Sequence, residues 1–182
     1  MNLTIEKRDE GLMSLPEGAP PELIAGPISV KAHTYDPDFK KGFGILIQWR
    51  SRVGEHHERV FKMKDILADG GRSMIQTLAD TGLYIHYRQG YWKHIIDYIL
   101  SSSPTDTVVT VDQTGWYYDQ FVTPSWVAGF SEQEVIFQND SEEKLSSKGT
   151  FMDWQKSVAR LCQNNALMTF SLCSAFAAPL LS

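Results

Sequence analysis

Ile28-Ser29-Val30-Lys31-Ala32-His33, Phe43-Gly44-Ile45-Leu46-Ile47-Gln48-Trp49-Arg50 and His57-Glu58-Arg59-Val60-Phe61-Lys62-Met63 lie within one stretch, and their reading decides the fold. Ile28, Val30 and Ala32 alternate with Ser29, Lys31 and His33, and Phe43, Ile45, Ile47 and Trp49 alternate with their neighbours. A period of two places one set of side chains on one face of a strand and the other set on the opposite face. Asp36 to Gly42 carries turn residues at both ends, and Ser51 to Glu55 turns about Gly54. Strand, turn, strand, turn, strand predicts a three-stranded antiparallel meander.

Downstream the period changes. Lys64 to Leu67, a Gly70-Gly71 interruption, and Met74, Ile75, Leu78 and Ala79 at helical spacing predict a short helix closed near Gly82. Leu83 to His86 reads as a strand. Trp92, Ile95, Ile96, Ile99 and Leu100 fall at i, i+3, i+4, i+7 and i+8, the strongest amphipathic helix of the chain. The polar tract from Ser101 stops it, and residues 101–106 are the expected lobe boundary, because a β segment, Thr107 to Val111, follows. Gln120 to Thr123, Trp126 to Ala128 and Glu134 to Gln138 read as short strands, and Asn139 to Gly149 as an exposed polar loop. Thr150 and Asp153 have capping-box spacing, so a helix begins near Phe151; a second, apolar helix follows Asn164-Asn165. Upstream, residues 14 to 27 hold four prolines and two glycines, and residues 1–27 are expected to be an extended or disordered leader. The prediction is an α+β domain over residues 28–182: a meander with helices, then a second small β region and two C-terminal helices.

The 182 residues carry 17 Lys and Arg against 22 Asp and Glu, a net charge of -5 that excludes the global field of a histone-like nucleic-acid binder. Cys162 and Cys173 cannot build a disulfide framework, and residues 1 to 13 are too charged for a signal peptide, so a cytoplasmic location is expected. Ala166 to Leu181 is shorter than the roughly 20 apolar residues of a spanning helix, so no membrane association is expected. His56 and His57 are adjacent, hence on opposite faces of a strand, and no metal site is expected. No GxSxG elbow and no GxxxxGK[ST] loop occurs; neither catalysis nor a cofactor is expected. A hydrolase built on Asp112, Asp119 and a histidine has only residue types in its favour.

One local feature departs from the average. Lys31 to Lys64 holds eight Lys or Arg and four acids, a local +4 that leaves -9 on the rest. Lys40, Lys41, Arg50, Arg52, Arg59 and Lys62 are the candidate nucleic-acid contacts, with Phe39, Phe43, Trp49 and Phe61 interleaved. The blander reading is that the aromatics bury and the bases form the solvated face of the meander. Trp116, Tyr117, Tyr118 and Trp126 fit either a sugar or peptide groove or plain packing.

Asp112-Gln113-Thr114-Gly115-Trp116, then Phe121-Val122-Thr123-Pro124, Glu134-Val135-Ile136-Phe137-Gln138, Gly149-Thr150 with Trp154, Val158-Ala159-Arg160-Leu161, Asn164, and Ala175-Phe176-Ala177-Ala178-Pro179-Leu180-Leu181 follow one another in this order. In these motifs the chain resembles, over about residues 28 to 182, the family of domain of unknown function 927, found in bacterial, phage and mobile-element proteins. Members of that family usually continue, after the PLL element, into a glycine-rich phosphate-binding loop and an ATPase resembling replicative helicases. The resemblance implies an amino-terminal half, a non-catalytic accessory domain with DNA and an adjacent ATPase domain as partners. It carries over no catalytic residue. Thr114, Gly115, Trp116, Trp154, Phe176 and Pro179 transfer as a structural motif, Gly115 permitting a tight turn and Trp116 anchoring it in the core. The alternative is a protein-interaction or homo-oligomerisation module that uses the C-terminal apolar helix.

Overall fold

In the computed structural model, which describes residues 4–16, 18–38, 40–88, 90–138 and 148–177, the predicted meander is present as β4 (Ile28–Tyr35), β5 (Gly44–Arg50) and β6 (His56–Lys62). Both pairings are antiparallel, with Ile28 opposite Trp49 and Arg50 opposite His56. Ile45, Ile47 and Trp49 point to one face and are buried in the core with Ile28. That face is covered by α1 (Met63–Asp69), α2 (Arg72–Asp80) and α3 (Tyr91–Ser101), which contribute Ile66, Met74, Leu78, Tyr91, Ile95, Ile96 and Ile99. The fold is α+β.

The Gly70-Gly71 interruption works as read, with a polar addition. Gly70 closes α1 at φ 66, in the left-handed region. The Asp69 carboxylate accepts from the N–H of Gly71 at 2.9 Å and of Ser73 at 2.8 Å, which ties the end of α1 to the start of α2. These donors hold the Asp69 carboxyl below its ordinary value, the Ser73 amide foremost.

The described residues 4–16 and 18–27 are not a leader. β1 (Thr4–Arg8), β2 (Gly11–Leu15) and β3 (Glu22–Ala25) form an antiparallel sheet in that order, and Leu12, Ile24 and Ala25 are fully buried in the core. The prolines and glycines that suggested an extended leader are clustered in connections: Pro16, Gly18, Pro20 and Pro21 between β2 and β3, Gly26 and Pro27 after β3. Only short apolar pieces remain between them, too brief to show a period. Leu83 to His86 makes a bridge rather than a strand, with Ile85 opposite Ala25 and backbone hydrogen bonds to Ile24 and Gly26.

The chain divides into compact units at Thr110, not in the 101–106 tract. β7 (Asp106–Val111) restarts after that tract as read, but it pairs in parallel with β4, Ala32 opposite Asp106 and Tyr35 opposite Val109, so it belongs with the first unit. A parallel pairing needs a long crossover, here everything from β5 to α3.

In the second unit, residues 111–182, β8 (Gly115–Tyr117), β9 (Gln120–Val122) and β10 (Val127–Gly129) form a three-stranded antiparallel sheet, and β11 (Val135–Phe137) follows. Most of the loop read at Asn139 to Gly149 lies outside the described residues. α4 (Phe151–Trp154) starts where the capping box places it: Thr150 Oγ1 accepts from the Asp153 N–H at 3.2 Å, and Asp153 accepts from the Thr150 N–H at 3.2 Å. A π-wound turn, Gln155–Ala159, leads to α5 (Arg160–Cys162), and α6 (Ala166–Ala177) is the apolar helix.

Candidate functional site

The six predicted nucleic-acid contacts do not share a surface. In an antiparallel ladder, opposite residues point to the same face. Arg59 sits opposite Ile47, on the face that carries the core, whereas Arg50, opposite His56, is on the other face. Lys62, opposite Gly44, shares the face of Arg50 but stands at the other end of the ladder, six residues or about 20 Å away. Lys40 and Lys41 are exposed in the connection before β5, and Phe39 lies outside the described residues. Arg52 is in the β5–β6 turn, its guanidinium 5.1 Å from the centre of the Tyr84 ring. Lys31, in the same basic run, is bridged to Glu58 at 3.3 Å. Alternation along a strand spreads the +4 over two faces and both ends of the sheet.

Arg50 nevertheless lies in a cleft. Lys7, Arg8 and Asp9 at the β1–β2 turn, Pro27, Ile28 and Ser29 at the start of β4, Gln48, Trp49 and Arg50 at the end of β5, and His56 at the start of β6 enclose about 410 Å³. Ser29 opposite Gln48, and Arg50 opposite His56, are cross-strand pairs on one face. Lys7, Arg8 and Arg50 are exposed cations against one carboxylate, Asp9. Arg8 is engaged by Glu6 at 2.7 Å, with both side chains nearly half exposed, so the pair is weak. Trp49 is 3% exposed and stacks on His57 at 5.5 Å, and its indole N–H has no hydrogen-bond partner among the described residues. Lys7 and Arg8 reach this cleft from the segment whose prolines and glycines suggest a leader. The signal was there in Lys7-Arg8-Asp9-Glu10-Gly11, charges around a tight turn.

A second polar cluster joins β3 to the start of α3. The Tyr91 hydroxyl donates to Glu22 at 2.5 Å, Arg88 donates to the Tyr91 oxygen at 3.1 Å, and His86 Nε2 lies 3.2 Å from the other Glu22 oxygen. The Tyr91 hydrogen bond, with His86 and Arg88 behind it, holds the Glu22 carboxyl below its ordinary value, and Glu22 in turn raises that of Tyr91.

The Thr114-Gly115-Trp116 element differs from its expected form. Gly115 does not make a tight turn; it opens strand β8 with ordinary extended backbone, and the left-handed residue of this hairpin is Tyr118, at φ 53. Trp116 is no core anchor: it is 40% exposed and meets Phe121 edge-on at 5.4 Å, while Phe121 meets Trp126 at 6.0 Å. Thr114 is exposed. Trp154 is half-buried, stacked on Phe151 and edge-on to Phe176, both at 5.7 Å. Pro179 lies outside the described residues. The five histidines all fall in residues 1–110, so Asp112 and Asp119 have none within their own unit.

α6 is the remaining feature. None of its described residues is buried, and Leu167, Phe170 and Phe176 are 77%, 70% and 56% exposed. Among the described residues no helix is long and apolar enough to cross a membrane.

No curated protein and no solved structure matches the chain. The family model described as Domain of unknown function (DUF927) matches residues 4–182, so the match takes in the strands β1 to β3 as well as both helical regions, and the chain belongs to that family.

Proposed function

We propose that the chain is a non-catalytic accessory domain of a helicase-like ATPase of phages and mobile elements, and that its second unit works as a docking surface. The observation that supports this most is α6. A helix of this composition, with no buried residue among those described, leaves large apolar side chains in water. Covering Leu167, Phe170 and Phe176 would gain about 1.5–3 kcal/mol each. Phe151, Met152 and Leu161, all more than half exposed, extend the apolar surface within the same unit. The resemblance to proteins that carry an ATPase after this region points to that ATPase as the physiological cover, with a second copy of the chain as the substitute when it is absent.

The test is light scattering of the 182-residue chain over a range of concentrations. Self-association that rises with concentration and is abolished by Leu167→Glu with Phe170→Glu is the expected result. A clean monomer at high concentration would sink the docking reading.

The nucleic-acid part of the expectation keeps a narrower basis. Arg59 faces the other way and Lys62 is remote, so the broad basic face is replaced by the cleft that Arg50 shares with Lys7 and Arg8.

A further inference from the structure

We propose that the cleft between the β1–β2 turn and the end of the β4–β5–β6 sheet binds the phosphodiester backbone of a single nucleic-acid strand. The proposal rests on the first unit alone and does not depend on α6.

Three observations carry it. First, three cations border the cleft: Lys7 and Arg8, consecutive at the end of β1 and so on opposite faces of that strand, and Arg50 at the end of β5, while Asp9 is the single carboxylate among the lining residues. Neither Lys7 nor Arg50 makes a side-chain ion pair among the described residues, so their charge is available to a ligand; Arg8 gives up only a weak surface pair with Glu6. Second, the sheet side of the cleft sets polar groups beside the apolar Pro27, Ile28 and Trp49. The Ser29 hydroxyl and the Gln48 amide sit side by side in the ladder, next to Arg50 and His56, and these groups donate to phosphate and sugar oxygens without reading a sequence. Third, the one indole in the lining is unavailable. Trp49 is buried and stacked on His57, which leaves the His56 imidazole as the single ring a base could meet.

These features select among phosphate ligands. A free nucleotide is ordinarily gripped by convergent backbone N–H groups at a glycine-rich loop and helix N-terminus. Here the donors are side chains on strands, Lys7 and Arg8 at the end of β1 and Arg50 at the end of β5. Such an arrangement suits a chain of phosphates passing through, held by charge and indifferent to base identity. Its volume, about 410 Å³, leaves room for the backbone of one strand.

The experiment is fluorescence anisotropy of a labelled oligothymidylate with the 182-residue chain, at low salt and at about tenfold higher salt. Binding that weakens with salt is expected. Lys7→Glu with Arg50→Glu should reduce affinity by at least about tenfold and flatten the log–log salt slope by about 1.4, two phosphate contacts at 0.7 each. Lys62→Glu with Lys64→Glu changes the net charge equally, away from the cleft, and should leave affinity within about twofold. Lys7→Ala with Arg50→Ala should fall between the double reversal and the wild type. All these side chains are exposed or nearly so, and an unchanged circular dichroism melt confirms that folding is intact. Absence of binding at low salt overturns the proposal, as does an equal loss in the Lys62/Lys64 pair. So does preference for the duplex over the strand, or binding of ATP or inorganic phosphate, but not of the strand, that the Lys7/Arg50 reversal abolishes. None of these outcomes bears on α6, so failure here leaves the docking reading standing.

Discussion

Tyr91, in the first turn of α3, donates its hydroxyl to Glu22 of β3 at 2.5 Å, joining two elements 69 residues apart in the chain. The pair has opposite pH dependence on its two sides. Glu22 has a folded value below its unfolded one, so its contribution is present above the ordinary carboxylate range and is lost as pH falls through the depressed value. Tyr91 has a folded value above its unfolded one, so its contribution is full below the ordinary phenol range and is lost as pH rises through the raised value. A thermal melt followed against pH should show a plateau that falls at both ends. Glu22→Gln should flatten the acid limb, and Tyr91→Phe should weaken both. An acid limb unchanged in Glu22→Gln would remove this carboxylate from the account.

Leu12→Ala tests whether the first strands belong to the core. Leu12 is fully buried among the side chains of the main hydrophobic cluster. Truncation there should cost about 2–5 kcal/mol, as for any buried leucine with little room to collapse around the cavity. The comparison is Leu67→Ala on α1: Leu67 is 68% exposed and should cost less than about 1 kcal/mol. Chemical denaturation gives both numbers. Equal, small effects would mean that β1 to β3 are not part of the cooperative unit.

What was legible in the sequence was long and periodic. The β4–β5–β6 meander and α3 each repeat a pattern over enough residues for the period to be seen, and both were placed within a residue or two of their observed ends. Thr150 and Asp153 announced a helix start through a specific local chemistry. β1, β2 and β3 are four or five residues each, and charge in β1 and proline in the connections outweighed the few apolar side chains. β8 is hidden for a related reason: Gly115 suggests a turn, yet its extended backbone is open to any residue, and the strained position falls on Tyr118. The candidate site was half legible. Arg50 was named from local charge, but a linear count of charges cannot tell which strand face each one takes, and Lys7 and Arg8 reach the cleft only through tertiary structure.

Thr150→Ala removes one half of the capping box. The Thr150 oxygen loses the Asp153 N–H it accepts, and Asp153 loses the hydroxyl that donates to it at 2.7 Å. Capping of this kind is worth about 1 kcal/mol of helix stability. The side-chain hydrogen bond from Thr150 is also the leading reason that the Asp153 carboxyl lies below its ordinary value. NMR titration should therefore show Asp153 moving back up in Thr150→Ala, and Thr150→Ser should restore both the titration and the start of α4. A titration unchanged by Thr150→Ala would place the cause elsewhere.

Tyr118 tests the hairpin that joins β8 to β9. Tyr117 pairs with Gln120, which leaves only Tyr118 and Asp119 to turn the chain, and Tyr118 does so at φ 53. A left-handed conformation costs an ordinary residue about 1–2 kcal/mol relative to its preferred backbone, while asparagine bears it more easily. Glycine would remove the strain but lose up to about 1 kcal/mol through the freedom it adds to the unfolded chain. Tyr118→Asn should therefore stabilise the second unit by about 0.5–1 kcal/mol, and Tyr118→Gly by less. The measurement is the denaturation midpoint of each variant. Should the asparagine variant prove less stable than wild type, the half-exposed Tyr118 ring would have to make contacts that outweigh its backbone strain. A bulky residue held at a left-handed position would then be there for those contacts, and the hairpin tip would be read as a contact surface beside the aromatic rings of Trp116 and Phe121.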